Sequence, residues 1–146
     1  MEVIVGMRAE TCSDDEGFRG AWFEGTVITI STHAGTCKFQ YDKFVTENRA
    51  PLVEDVCVKN MRPIPPYKPL PLNCSIGDAV EARDKDCWWR GIIVKKLQSS
   101  PTATTELLSI YFPDTRTVKA YPRSALRPAQ EWLGSGQKWT SSFEVL

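Results

Sequence analysis

Short runs of alternating apolar and polar residues, separated by turn residues, make up most of the chain. Branched and aromatic residues, which favour strands, concentrate at positions 22–30 and 36–41. In the first of these runs, alternation places Phe23, Gly25 and Val27 on one side. No stretch repeats its apolar residues with the 3.6-residue period of a helix. The pattern predicts an all-β fold of antiparallel strands arranged as small twisted barrels.

Loops of differing character separate the predicted strands. Residues 13–20 form an acidic loop, 98–105 a polar loop, and 42–53 either a polar loop or a weak strand followed by a loop. A terminal piece at 132–145 is expected to pack over the barrels. The predicted strands span residues 4–12, 22–30, 36–41, 54–61, 76–83, 88–97, 107–112 and 117–121.

The chain contains an internal duplication. The segment from Gly17 to Val27 returns in shortened form from Cys87 to Ile93, and each copy has two large aromatics, a polar residue, a glycine and then β-branched residues. Three further landmarks recur in the same order, which indicates two copies of one unit. They are Val5–Glu10 with Ile76–Glu81, Phe39–Asp42 with Ile110–Asp114, and Met61–Pro63 with Leu126–Pro128.

The duplication predicts two domains, at residues 1–66 and 72–146, joined by a proline-rich linker at 63–71. Units of this size have thin cores, so we expect them to pack together as a tandem pair. The linker is expected to be a stiff extended spacer; a ligand for a proline-reading domain would have the same composition.

Charge is balanced overall but is unevenly distributed. The chain has 18 basic and 18 acidic residues, and residues 1–66 hold ten of the acids but only seven of the bases. An acidic first unit suits a basic ligand, and a basic second unit suits either the first unit or an anion. An imbalance of this size also arises by chance.

Composition argues against an enzyme, a metal site and a cofactor. Five cysteines and one histidine, with no CxxC pair, do not make a zinc site, and reduced buried thiols are the simpler interpretation. There is no glycine-rich phosphate loop, and His33 and Cys37 lack a third group to orient them as a nucleophilic pair. No apolar run reaches the ~20 residues of a membrane span, so no membrane partner is expected.

Aromatic residues at the strand ends are the candidate chemistry. A methylated ammonium is bound by facing rings and a carboxylate, and Trp22, Tyr41, Phe18, Asp42 and Phe44 are placed to supply both at one rim of the first barrel. The alternative is that these rings simply fill a thin barrel. In the second unit, packing is the favoured role of the corresponding residues, which are Trp88, Phe112 and Asp114.

Two signatures resemble a known family. The segment from Glu10 to Phe23 resembles the opening of a plant Agenet domain, a member of the Tudor-like group of small barrels. The segment Leu126–Pro128, followed by Trp132 and Trp139, resembles the close of a tandem Agenet pair. The likeness covers nearly the whole chain.

The resemblance implies a chromatin reader that lies in the nucleus and acts in gene silencing. It implies binding of a histone H3 tail methylated at lysine 9, a heterochromatin mark, with unmodified lysine 4 also sensed and other chromatin proteins as further partners. Nucleic-acid binding and protein scaffolding are the alternatives, and the scattered bases of the second unit weaken the first of these. The resemblance places the cage at Trp22 and Tyr41, and the acids that receive the tail's basic groups are Asp42, Asp14, Asp15, Glu16 and Glu47.

Overall fold

The regular structure of the chain is almost entirely β-strand. A computed structural model describes residues 1–13, 17–98, 106–134 and 136–141. Within them, the only helices are two single turns of 3₁₀-helix, at Val58–Asn60 and Arg123–Ala125, and all the strand pairs are antiparallel. The all-β antiparallel prediction is therefore confirmed.

Two sets of five strands repeat the same order. The first set is β1 Arg8–Cys12, β2 Ala21–Ser31, β3 Thr36–Val45, β4 Pro51–Cys57 and β5 Met61–Pro63. The second set is β6 Ala79–Asp84, β7 Cys87–Gln98, β8 Glu106–Phe112, β9 Thr117–Pro122 and β10 Leu126–Pro128. A separate hairpin follows, formed by β11 Gln130–Leu133 and β12 Lys138–Ser141.

The two sets join into one ten-stranded sheet. The first set pairs in the order β5-β1-β2-β3-β4 and the second in the order β10-β6-β7-β8-β9. They meet where Trp22 of β2 lies opposite Trp88 of β7, and these two tryptophans hold equivalent positions in the duplication. The two sets are thus related by an approximate two-fold axis. We call them the first and second units; the bounds 1–66 and 72–146 stay a prediction.

Neither unit closes into a barrel. In the described residues β4 does not pair with β5, and β9 does not pair with β10, so each five-stranded sheet stays open. The expectation of closed barrels is corrected in this respect. Core side chains instead fill the curved inner face, with Phe39 and Val27 buried in the first unit and Ile110 and Ile93 in the second.

Residues 42–53, expected as a polar loop or as a weak strand followed by a loop, contain two strand ends and a turn. Strand β3 continues to Val45 and β4 begins at Pro51, leaving a short turn closed by hydrogen bonds from the Thr46 amide to the Ala50 carbonyl and from the Arg49 amide to the Thr46 carbonyl. These strand ends are largely exposed and lack regular alternation of apolar and polar residues, so they did not stand out as strands in the sequence. The proline-rich linker packs along the second unit, where Leu70 is buried in the core.

No helix in the described residues is long and apolar enough to cross a membrane. The five cysteines are free thiols, and Cys37, Cys74 and Cys87 are buried. Burial raises the pKa of Cys87 to about 11. This thiol therefore stays protonated and unreactive at neutral pH.

Four charged residues meet at the joint between the units. Arg62 donates to Glu10 at 2.9 Å and to Glu81 at 3.0 Å, and Arg127 donates to Glu81 at 2.8 Å and to Glu10 at 3.0 Å. Both glutamate side chains are at most 1% exposed, Arg62 is 3% exposed and Arg127 14%. Each arginine therefore bridges the carboxylates of both units. We call these residues the charge quartet.

The duplicated tryptophans cover the charge quartet. The Arg62 guanidinium lies 3.8 Å from the centre of the Trp22 ring, and that of Arg127 lies 4.0 Å from the Trp88 ring. The terminal hairpin adds the Gln130 carbonyl as an acceptor for Arg62 at 3.0 Å. Burial raises the pKa of Glu10, while the two guanidiniums act in the opposite direction.

Loss of one member of the charge quartet should strongly destabilise the whole chain. Arg62→Met leaves two buried carboxylates with one guanidinium, and such losses cost about 3–5 kcal/mol. Urea unfolding of the variant should show this as a lower midpoint in a single transition.

The matched control is Arg8→Met, which removes an exposed pair with Asp42. Exposed pairs contribute about 0–1 kcal/mol, so this variant should unfold close to the wild type. Equal midpoints for the two variants would contradict the structural role assigned to the quartet.

Candidate functional site

An aromatic hollow of about 210 Å³ opens on the first unit. The centres of the Phe23, Tyr41 and Phe44 rings lie 5.5–6.0 Å apart, and their planes are inclined by 64–89° to one another. The three rings thus form the corner of a box. Phe18, 47% exposed, stands beside Phe23 at 6.0 Å and forms a further wall. The remaining lining residues are Ser13, Leu52 and Glu54.

A break in strand pairing brings Tyr41 and Phe44 together. Side chains three positions apart in a regular strand point to opposite faces. Here the register between β3 and β4 shifts between Gln40 and Val45, so that β3 carries extra residues opposite Leu52. This β-bulge turns both rings into the hollow.

Glycine at the centre of β2 allows the strands to approach closely behind the hollow. A Cβ at Gly25 would overlap the Gln40 carbonyl oxygen and the Phe39 ring. Phe39 in turn packs edge-on against Tyr41, with ring centres 5.2 Å apart. The duplicated glycine Gly91 makes the same close approach to β8. A glycine inside a strand pattern is typical of such a close approach of another backbone.

Glu54 is the carboxylate at this hollow. It lies on the exposed side of β4, two residues after Leu52, and both side chains line the opening. The Glu54 side chain makes no hydrogen bond or ion pair with the described residues, so its charge is available to a ligand. A carboxylate beside three or four rings is the arrangement that attracts an ammonium group.

Asp42, predicted to be this carboxylate, points elsewhere. Alternation sends its side chain to the other face of β3, where both carboxylate oxygens accept hydrogen bonds of 2.5 Å from the Arg8 guanidinium. These bonds lower the pKa of Asp42. The residue is therefore already neutralised by Arg8, and the prediction that it closes the cage is corrected.

Trp22, predicted as the leading ring, also lies away from the hollow. Its place on the mixed face of β2 follows the predicted alternation, but that face is turned toward the second unit. There the ring stacks on Arg62 and borders a different hollow, beside Met61 and Trp132. The predicted cage role of Trp22 is corrected because the ring is engaged with the charge quartet.

Of the acids predicted to bind a basic tail, the structure describes Glu47 but not the three at positions 14–16. Glu47 is exposed in the turn between β3 and β4, and it does not line the hollow. Asp14, Asp15 and Glu16 lie outside the described residues. In the sequence they directly follow Ser13, which does line the hollow.

The predicted second-unit equivalents do not come together. Trp88 packs under Arg127 and donates its indole hydrogen to Glu24 at 2.9 Å, so it belongs to the joint between the units. Asp114 lies in a turn against Gly20. Of the three predicted residues, Phe112 is the one that lines a hollow of about 320 Å³. The rings of Trp89 and Tyr121 line the same hollow.

Bases of the second unit are widely paired with acids. Five of them form ion pairs at described positions, and paired bases are less available to a phosphate backbone. In the described residues there is also no cluster of histidine, cysteine and acidic side chains able to hold a metal ion. The ion pairs are Arg83–Glu24, Arg90–Glu131, Lys119–Asp84 and Arg123–Glu106, together with the pairs of Arg127 in the charge quartet.

Sequence reasoning missed Phe23, Leu52 and Glu54 as lining residues. Phe23 follows the core alternation and is 8% exposed, yet one edge of its ring closes the base of the hollow. The spacing of Leu52 and Glu54, two apart after Pro51, is the signal that could have placed both on one face of an edge strand.

Comparison with known proteins finds a family match and plant relatives. The Agenet domain family model matches residues 6–66. DUF724 domain-containing protein 6 of Arabidopsis thaliana is 32% identical over 140 residues, which are 92% of this chain and 18% of that protein. The chain spans between 18% and 26% of the length of the curated relatives it matches.

Solved structures share the fold. The AGD34 crystal structure of Arabidopsis thaliana AGDP1 matches with a TM-score of 0.77 at 24% identity, covering 94% of this chain and 88% of that one. The SHH1 SAWADEE domain in complex with an H3K9me3 peptide matches with a TM-score of 0.50 at 14% identity, covering 87% of this chain and all of that one.

Replacement of Trp22 should lower stability because its ring supports a buried guanidinium. Trp22→Ala removes a desolvated cation–π contact, and we expect the free energy of unfolding to fall by about 2 kcal/mol or more. Denaturant unfolding measures this. Phe18→Ala is the control, because this ring is 47% exposed and its loss should change stability much less. A Trp22→Ala variant as stable as Phe18→Ala would contradict the assignment.

Proposed function

Because the chain belongs to the Agenet domain family, we propose that it is a chromatin-binding module that reads methylated lysine on a histone H3 tail. The proposed mark is lysine 9, with unmodified lysine 4 as a second determinant. Such a module acts by binding, in the nucleus, and catalyses no reaction. A solved structure of similar fold, the SHH1 SAWADEE domain, holds an H3K9me3 peptide, which supports this choice of ligand.

One observation carries the proposal: three inclined rings and an unpaired carboxylate share one open hollow on the first unit. In this proposal Phe23, Tyr41 and Phe44 surround the methylated ammonium, and Phe18 closes the outer side. Ring quadrupoles attract the cation at about 0.5–2 kcal/mol per contact. Three or four rings thereby supply much of the roughly 8 kcal/mol that a micromolar complex requires.

Glu54 supplies the full negative charge in this proposal. It stands at the edge of the hollow, where it can attract the ammonium or a neighbouring basic residue of the tail. The acids of positions 14–16, which follow the lining residue Ser13 in sequence, extend the same attraction along the tail. The net negative charge of the first unit agrees with a basic peptide ligand rather than a nucleic acid.

Loss of a cage ring should weaken binding of the methylated peptide without unfolding the protein. Phe44→Ala removes one wall of the box, and we expect affinity for an H3 peptide trimethylated at lysine 9 to fall about tenfold, the equivalent of ~1.4 kcal/mol. Calorimetric titration measures the affinity, and a thermal melt checks the fold. Peptides unmodified at lysine 9, or methylated at lysine 4, test the choice of mark.

Val45→Ala is the matched control, because Val45 neighbours Phe44 in sequence but is 60% exposed and outside the hollow. It should bind as the wild type does. If Phe44→Ala binds the trimethylated peptide normally, the cage is not here. A wild-type protein that binds a short nucleic-acid duplex but neither peptide would favour the nucleic-acid alternative.

Removal of the Glu54 charge should weaken binding in a salt-dependent way. The side chain is exposed, so its contribution is modest, and Glu54→Gln should lower affinity about two- to fivefold at low salt. The difference should shrink as ionic strength rises, because salt screens exposed charges. Titrations at two salt concentrations measure both effects.

Asp55→Asn is the control for this second change. Asp55 is adjacent on β4, points to the other face and pairs with Lys38 at 3.3 Å. The two variants carry the same change in net charge, so a general electrostatic effect would alter both alike. Equal loss of affinity in the two variants would remove Glu54 from the site.

A further inference from the structure

The second unit contains a hollow that corresponds to the aromatic hollow of the first. Val27 pairs with Phe39 in one unit as Ile93 pairs with Ile110 in the other, and the same register shift follows in β2 and β7. By this correspondence Phe23 matches Trp89, and Tyr41 matches Phe112. Tyr121 adds a ring, perpendicular to Phe112 at 6.0 Å between ring centres.

The charges around the two hollows differ at matched positions. Glu54 pairs with Phe39 in the first unit, and Lys119 pairs with Ile110 in the second, so a free acid is replaced by a lysine. Conversely, Ser13 of the first unit matches Asp84 of the second, because each is the residue after the one that pairs with the duplicated tryptophan. The acid of the second hollow is therefore Asp84.

Lys119 reaches across this second hollow to Asp84. Its ammonium donates to an Asp84 carboxylate oxygen at 2.8 Å and lies 5.8 Å from the centre of the Tyr121 ring. Tyr121 donates its hydroxyl hydrogen to the same oxygen at 2.7 Å. The chain itself thus supplies an ammonium group, a carboxylate and an aromatic ring at this hollow, from Lys119, Asp84 and Tyr121.

We propose that the second hollow is a latent site for methylated lysine, which the chain fills with its own Lys119. This inference does not depend on binding at the first unit. The internal ammonium is tethered, and tethering by a short link gives an effective concentration on the order of millimolar or above. A ligand must also enter against the positive charges of Lys119 and of Lys85, which lines the same hollow.

The rings suit the proposed ligand once Lys119 is removed. Trp89 is held in place by a hydrogen bond from its indole nitrogen to the Asp84 carbonyl at 2.9 Å, and Phe112 and Tyr121 are fixed in the core. Asp84 would then lose its ion-pair partner, with the charge of Lys85 still nearby. The Lys119 side chain is 59% exposed, so its replacement should leave the fold intact.

Substitution of Lys119 tests the proposal in a Phe44→Ala background, where the first hollow is disabled. A short peptide with one trimethyllysine serves as the probe, and calorimetry measures the number of sites. Adding Lys119→Met should create a binding event at least tenfold tighter than in the parent, with a shift of the Trp89 indole signal in NMR spectra. Adding Asp84→Asn as well should abolish the gain.

Lys119→Arg is the matched control, because arginine keeps the ion pair with Asp84 and should gain no site. A thermal melt checks each variant, and Lys119→Gln provides a second neutral substitution if the methionine variant is unstable. Unchanged peptide binding in both neutral variants would overturn the proposal. Failure of the wild type to bind through its first hollow would contradict the proposed function but would leave this result intact.

Discussion

The buried charge quartet is the interaction on which the arrangement of the two units depends. Each carboxylate comes from the third position of a short strand, and each guanidinium comes from the strand beside it. Neither unit alone can neutralise its glutamate to the same extent, because each arginine spans both carboxylates. Burial of four ions is costly unless all are satisfied together, so the quartet favours one relative position of the units over any other.

The strand pattern and the duplication could be predicted from sequence because they rest on local alternation and on repeated landmarks. Gly25 and Gly91 follow for the same reason, since each stands where the next strand lies too close for a side chain. The sequence placed Trp22 on the correct face of its strand, but it did not show which part of the molecule that face contacts. The face contacts the second unit because β2 pairs with β7, a strand distant in the chain.

The candidate site depended on two further features that alternation does not contain. A bulge in β3 brings Tyr41 and Phe44 to one side and sends Asp42 to Arg8 on the other. An edge strand then supplies Glu54, and alternation within that strand alone does not show which of its faces meets the rings. Small irregularities of pairing thus decide which carboxylate faces the rings. The two hollows, built on equivalent strands, carry opposite charges at one matched position, which is Glu54 in β4 and Lys119 in β9.

The approximate two-fold axis through Trp22 and Trp88 has a consequence for either half in isolation. Each half presents one glutamate, one arginine and one tryptophan at the same surface, and the axis makes that surface complementary to itself. Two copies of one half therefore contain two glutamates, two arginines and two tryptophans, as the joint of the intact chain does. Pairing of identical copies, in a head-to-head dimer, is the route by which a severed half can neutralise and cover these charges.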